Sequence, residues 1–156
     1  MNPAVGFGYS QLWVFDRAVR RPGLLWDDVH LAQGFARRGS VVIVRTMEDY
    51  GRATVTFVFG PFVPSQRYDR VVAVPFLVIS GELFVEGPEA PGAGNVFRVP
   101  VGRYRLVIGQ RRVARFEQAV DVFCEHRTAL PDRSELLVVD SELSPPETLA
   151  ETAEEA

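Results

Sequence analysis

The chain has 156 residues, 47% of them hydrophobic and 24% charged, which excludes a disordered polymer and fits one domain whose core needs no disulfide or metal staple. The formal charge of −3 is unevenly spread: from Asp140 to the end there are six acidic residues and no basic ones, so the body before it carries 14 acids against 17 bases. All 17 bases are arginine, which excludes a Schiff-base lysine and a phosphate-loop lysine.

The single cysteine, Cys124, rules out an internal disulfide and a four-cysteine zinc site. The N-terminal stretch has no positive charge followed by an apolar run, so no secretory signal is expected. The longest apolar run, Val71 to Ile79, is far short of the roughly 20 residues that span a bilayer. These features lead us to expect a cytoplasmic protein that inserts into no membrane.

Tyr9 to Asp16 reads as the first strand, with Trp13 and Phe15 on one face and Leu12 and Val14 on the other. Arg20-Arg21-Pro22-Gly23 is loop punctuation. Asp27 or Asp28 then offers an N-cap, and Val29, Ala32 and Ala36 recur at helical spacing, predicting one short helix near the N-terminus over residues 27–37. Val41 to Thr46 and Thr54 to Phe59 are the next strands, joined by Glu48-Asp49-Tyr50-Gly51 as a hairpin connection. Val71 to Ser80 follows, where Pro75 argues for an edge position or a bulge. Leu83 to Glu86 is a short strand and Gly87 to Asn95 a glycine- and proline-rich loop. Arg103 to Ile108, Ala119 to Cys124 and Leu136 to Val139 complete about eight strands.

Strands at this spacing pack as an all-β fold, mainly an antiparallel β-sandwich, or as a partly closed barrel. Residues 1–140 are predicted to form one sandwich domain. Two prolines, five acids and few large apolar groups cannot repay ordering entropy, so residues 141–156 are predicted to be a disordered acidic tail.

The chemistry-bearing groups are sparse. Cys124 and His126 share one strand face, but only one further histidine, His30, exists, and the pair reads as structural. The arginine groups at 20–21, 37–38 and 111–112 with Arg115 fall where turns are expected, and the body is too weakly basic for direct nucleic-acid binding. Pro100-Val101-Gly102-Arg103-Tyr104 is similar to the tyrosine corner that locks β-sandwich connections. There is no glycine-rich phosphate loop, no His-Glu-x-x-His and no Gly-x-Ser-x-Gly. By subtraction the chain reads as a binding module rather than an enzyme, with no cofactor and no metal.

Several strings together resemble the competence protein J family: Trp26, Ala32-Gln33-Gly34-Phe35-Ala36, Gly39-Ser40-Val41, Val74-Pro75-Phe76, and Pro100-x-Gly102-x-Tyr104-x-Leu106. The resemblance spans about Trp13 to Val139. It implies a protein that binds and silences a small DNA nuclease of the NucA/NucB kind, or in immunity fashion a nuclease toxin. An alternative is a non-catalytic β-sandwich interaction or regulatory subunit. A nuclease must present a positive, metal-loaded cleft to phosphates, which carboxylates on a rigid scaffold can occupy. The candidate partner-binding residues are Asp27 and Asp28 at the helix start and Glu48 and Asp49 in the connection after the second strand.

Overall fold

The computed structural model describes residues 4–64, 67–88 and 95–156. Their strands are β1 (Val5–Phe7), β2 (Gln11–Asp16), β3 (Phe35–Arg38), β4 (Val41–Arg45), β5 (Gly51–Phe59), β6 (Arg70–Val78), β7 (Glu82–Glu86), β8 (Asn95–Arg98), β9 (Gly102–Ala114), β10 (Glu117–Arg127) and β11 (Glu135–Val138), with one helix, α1 (Asp28–Gln33). One sheet runs β1-β5-β10-β9-β6-β11 and the other β3-β4-β2-β7-β8. All pairings are antiparallel except β5 with β10. The predicted mainly antiparallel sandwich with one short helix is the fold found.

The period-two pattern explains the core. Leu12, Val14, Val42, Val44, Leu83 and Val85 from the smaller sheet meet Val55, Val74, Phe76, Leu106, Ile108 and Val122 from the larger one, and all are essentially inaccessible. Each such side chain contributes about 1.5–3 kcal/mol by leaving water. The opposite face of the smaller sheet is also apolar. Phe15, Ala36, Val41 and Ile43 pack there with Leu24, Trp26 and Ala153.

The helix is shorter than its sequence pattern. Gly34 adopts φ 85°, donates its N–H to His30 O and ends α1 at Gln33, a backbone conformation glycine reaches without penalty. Phe35–Arg38 then pairs with β4 instead of continuing the helix, because burying Phe35 and Ala36 in the two cores outweighs helical propensity. Residues 48–51 are not a hairpin turn either: β4 and β5 belong to different sheets, so this stretch crosses between layers. Pro75 keeps register opposite Arg105, while β11 covers only Val71 to Ala73. At the proline β6 thus has a strand neighbour on one side alone, as an edge reading requires. Of the predicted Gly87–Asn95 loop, residues 89–94 lie outside the described residues. β1 and β8 were too short to stand out as strands.

The prediction of a disordered tail is corrected by the contacts of residues 141–156. Leu143 and Ala153 are buried, and Leu149 packs on the main core. The backbone groups of Ala150 and Thr152 bond the Gln33 and His30 side chains, and those of Glu154 and Ala156 bond the backbone of Leu25 and Gly23. Backbone bonds and small side chains replace the large apolar groups whose scarcity suggested disorder.

Candidate functional site

The two ends of the sandwich differ in kind. At one end β2 stops at Asp16, whose buried carboxylate accepts from the N–H groups of Ala18 (2.8 Å), Ile79 (2.7 Å) and Ser80 (3.0 Å). Burial pushes this carboxyl up, but the three backbone donors outweigh it and hold it below its usual range. At the same end the Tyr104 hydroxyl donates to Pro100 O at 2.7 Å, so the predicted tyrosine corner is present. His126 lies edge-on to the Tyr104 ring. The neighbouring Cys124 is buried and its thiol is pushed up to about 12, which makes it inert as a nucleophile.

The opposite end gathers three connections: Gly8–Ser10 between β1 and β2, Thr46–Tyr50 between β4 and β5, and Arg115–Phe116 between β9 and β10. Tyr9 (φ 53°), Ser10 (φ 59°) and Phe116 (φ 62°) are the non-glycine residues with left-handed backbone among the described residues, and all three stand here. Each costs about 1–2 kcal/mol relative to a right-handed conformation. The strain is held by specific bonds. Ser10 donates its N–H to Asp49 O and its hydroxyl to the Asp49 carboxylate, both at 2.8 Å. Glu48 accepts the Phe116 N–H at 2.7 Å and pairs with Arg112 at 3.4 Å. Gly51 fits because any Cβ there would run into the Phe116 carbonyl and the Phe7 ring.

These bonds present a set of aromatic groups outward. Tyr9 is 73% and Tyr50 59% exposed. Tyr50 stacks on Phe116 with ring centroids 4.8 Å apart, and the Arg115 guanidinium covers the same ring at 4.9 Å. Phe7, Arg52 and Glu117 complete an open recess of about 460 Å³. Backbone outliers retained by their surroundings cluster at functional sites, and exposed tyrosines with arginine are the residues that dominate protein interfaces. The Glu48 and Asp49 carboxylates are committed to backbone and hydroxyl donors, which leaves the exposed rings and the Arg115 guanidinium as the groups presented for contact. Among the described residues no cluster of histidine, cysteine and carboxylate groups could hold a metal ion.

The four predicted partner-binding residues therefore divide. Glu48 and Asp49 belong to this end. Asp27 caps α1, accepting from Val29 and His30 N–H while His30 Nδ1 accepts from the Asp27 N–H. The hydrogen bond from His30 N–H is the main cause that holds its carboxyl below the usual range. Asp28 is exposed in the first turn, and both lie at the helix start, with Asp27 beside Thr152 and Glu154. The arginine pairs do not converge. Arg37 and Arg38 meet Glu151 and Glu155, not solvent alone, and Arg112 binds Glu48 and Met47 O. Nothing in the sequence singles out Tyr9, Tyr50 and Phe116. Their turns carry no motif, and a positive φ on a tyrosine or phenylalanine leaves no mark in composition.

Residues 5–127 match the family model described as Competence protein J (ComJ). The crystal structure of ComJ from Bacillus subtilis, described as an inhibitor of the DNA degrading activity of NucA, is similar with a TM-score of 0.71 at 18% identity, over 81% of this chain and 96% of that one. A structure described as crocagin biosynthetic gene J is similar with a TM-score of 0.50 at 14% identity, over 81% of this chain and 99% of that one. No curated protein sequence matches the chain. No helix among the described residues is long and apolar enough to cross a membrane.

Proposed function

The chain belongs to the competence protein J family, and from that premise we propose that it is a protein inhibitor of a DNA nuclease, binding the enzyme and blocking its active-site cleft. The observation that carries this reading is the family match over residues 5–127, joined to a relative of the same fold that inhibits the DNA-degrading activity of NucA. The partner is a nuclease of the NucA/NucB kind or a nuclease toxin. The chain acts in the cytoplasm as a non-enzyme that neither binds nucleic acid directly nor uses a cofactor.

The contact surface in this proposal is the strained end. Tyr9 and Tyr50 supply rigid aromatic area at little entropic cost. Asp49 supplies negative charge next to them, and Glu48 positions Phe116 beneath Tyr50. Asp27 and Asp28 remain a second acidic pair for the same partner. Charge attraction to a basic cleft accelerates encounter and is screened over about 8 Å at physiological ionic strength. The test is a pull-down with the purified chain, followed by a DNA-cleavage assay on the captured nuclease. Dose-dependent, saturable loss of cleavage is expected. A chain that shifts duplex DNA on a gel and leaves every nuclease encoded beside it active contradicts the reading.

A further inference from the structure

The segment Leu149–Ala156 lies in a groove walled by residues 23–26, by α1 and by β3. The groove treats it as a peptide ligand. Gln33 is fully buried, and its side-chain amide grips one residue twice, donating to Ala150 O (3.0 Å) and accepting from Ala150 N (2.8 Å). The Glu151 carboxylate enters a pocket where the Ser134 N–H (2.7 Å) and hydroxyl (2.6 Å) both donate to it, while Arg37 holds the Glu151 carbonyl at 2.8 Å. At the next residue the ring of His30 meets Thr152 O at 3.0 Å. A carbonyl only accepts, so the proton sits on Nε2, leaving Nδ1 to accept from the Asp27 N–H.

Beyond that point Ala153 is buried against Leu24, Ala36 and Ile43, a seat sized for a small side chain. Leu25 N then donates to Glu154 O (2.7 Å), and Ala156 N to Gly23 O (3.0 Å), which is strand addition to an extended stretch of body. Most of these bonds read backbone; two read the Glu151 carboxylate, and the packed seat of Ala153 selects a small group two residues on. The receptor side, apart from Ser134, falls inside the family-matched residues 5–127, whereas the occupant falls outside them.

We propose that this groove is a peptide-binding site for an extended acidic segment with the pattern Glu-x-small, and that the chain's own segment is a strap which a partner's segment of the same chemistry displaces. Two features make the strap exchangeable. It anchors few apolar groups, Leu149 and Ala153, and its pairs with Arg37 (3.5 Å) and Arg38 (4.0 Å) are partly exposed. The site is separate from the strained end and does not depend on the nuclease reading.

The probe is a fluorescein-labelled peptide with the sequence of Glu147–Ala156, titrated by anisotropy into the full-length natural chain and into full-length chain carrying Glu151→Arg. This substitution weakens the strap and leaves the groove walls unaltered. The altered chain should bind the probe at least about tenfold more tightly than the natural chain, since a tethered segment competes at roughly millimolar effective concentration. A probe carrying Glu151→Gln, or one carrying Ala153→Trp, should bind several-fold more weakly to that same protein. In the natural chain the amides of Ala150 and Ala156 should exchange with deuterium at least about a hundredfold faster than those of β9 and β10, as a locally opening segment does. Equal binding of the three probes, no binding at millimolar concentration to the Glu151→Arg chain, or strap amides as protected as the central strands would each overturn the proposal.

Discussion

The two ends of the sandwich spend the same resources in opposite ways. At the Asp16–Tyr104 end the Asp16 carboxylate and the Tyr104 hydroxyl are turned inward. A buried carboxylate satisfies three backbone donors and a buried tyrosine closes its own connection. At the Tyr9–Tyr50–Phe116 end three residues are held in left-handed backbone, and their bonds present rings to solvent. A fold that tolerates such strain at one end needs a firm clamp elsewhere. The contrast separates residues that keep the protein folded from those available to a partner.

That contrast can be broken by substitution, beginning with the clamp. Asp16→Ala leaves buried N–H donors without an acceptor and should cost about 3 kcal/mol, since each orphaned group costs roughly 1–3 kcal/mol. For a domain of this size that is a fall of about 6–12 °C in melting temperature, readable by calorimetry, with inhibition of the nuclease retained wherever the protein is folded. Tyr104→Phe should cost about 1 kcal/mol, the net worth of one buried hydrogen bond, and unchanged melting would show that the corner carries nothing.

A pH titration of stability sharpens the same point. Asp16 is held below its ordinary value by backbone donors. Glu125, although burial pushes it up, is drawn down further by Phe62 N–H, Arg105 and Arg127. A depressed carboxyl stabilises the fold above its unfolded pKa, here 3.8 and 4.5, and that contribution is lost as pH falls through the lower folded values. Denaturant melts of the natural chain should therefore weaken below about pH 4.5, and Asp16→Asn should flatten part of that acid loss. The smallest effect belongs to the strained end. Tyr9→Gly relieves a left-handed φ while adding chain entropy, so stability should change by less than about 1 kcal/mol while nuclease inhibition weakens.

Sequence patterning made the core legible because strand burial repeats every two residues, and Val14, Val55 and Ile108 fall where that period puts them. The tyrosine corner and the Asp27 cap were readable because their partners lie within four residues in the chain. What escaped depends on distant partners. The Gly34 termination looks like one weak position in a helix until Phe35 finds two sheets to fill. The docking of residues 149–156 depends on Gln33, more than a hundred residues away. Of the candidate site, Glu48 and Asp49 were visible as charges. Their company of Tyr9, Tyr50 and Phe116 was not, because three separate turns supply it.

The measurement that bears most directly on the account is a titration of the natural chain and of Tyr50→Ala into the nuclease it captures, reading DNA cleavage, with melting curves of both proteins. The Tyr50 ring is largely exposed, so the two proteins should melt within about 1 °C of each other. The natural chain should abolish cleavage near equimolar ratio, and the variant should need at least about tenfold more protein, the effect of losing one interface anchor. Equal inhibition by the two would remove the strained end from the interface, and a natural chain that leaves cleavage untouched at any ratio would contradict the inhibitor itself.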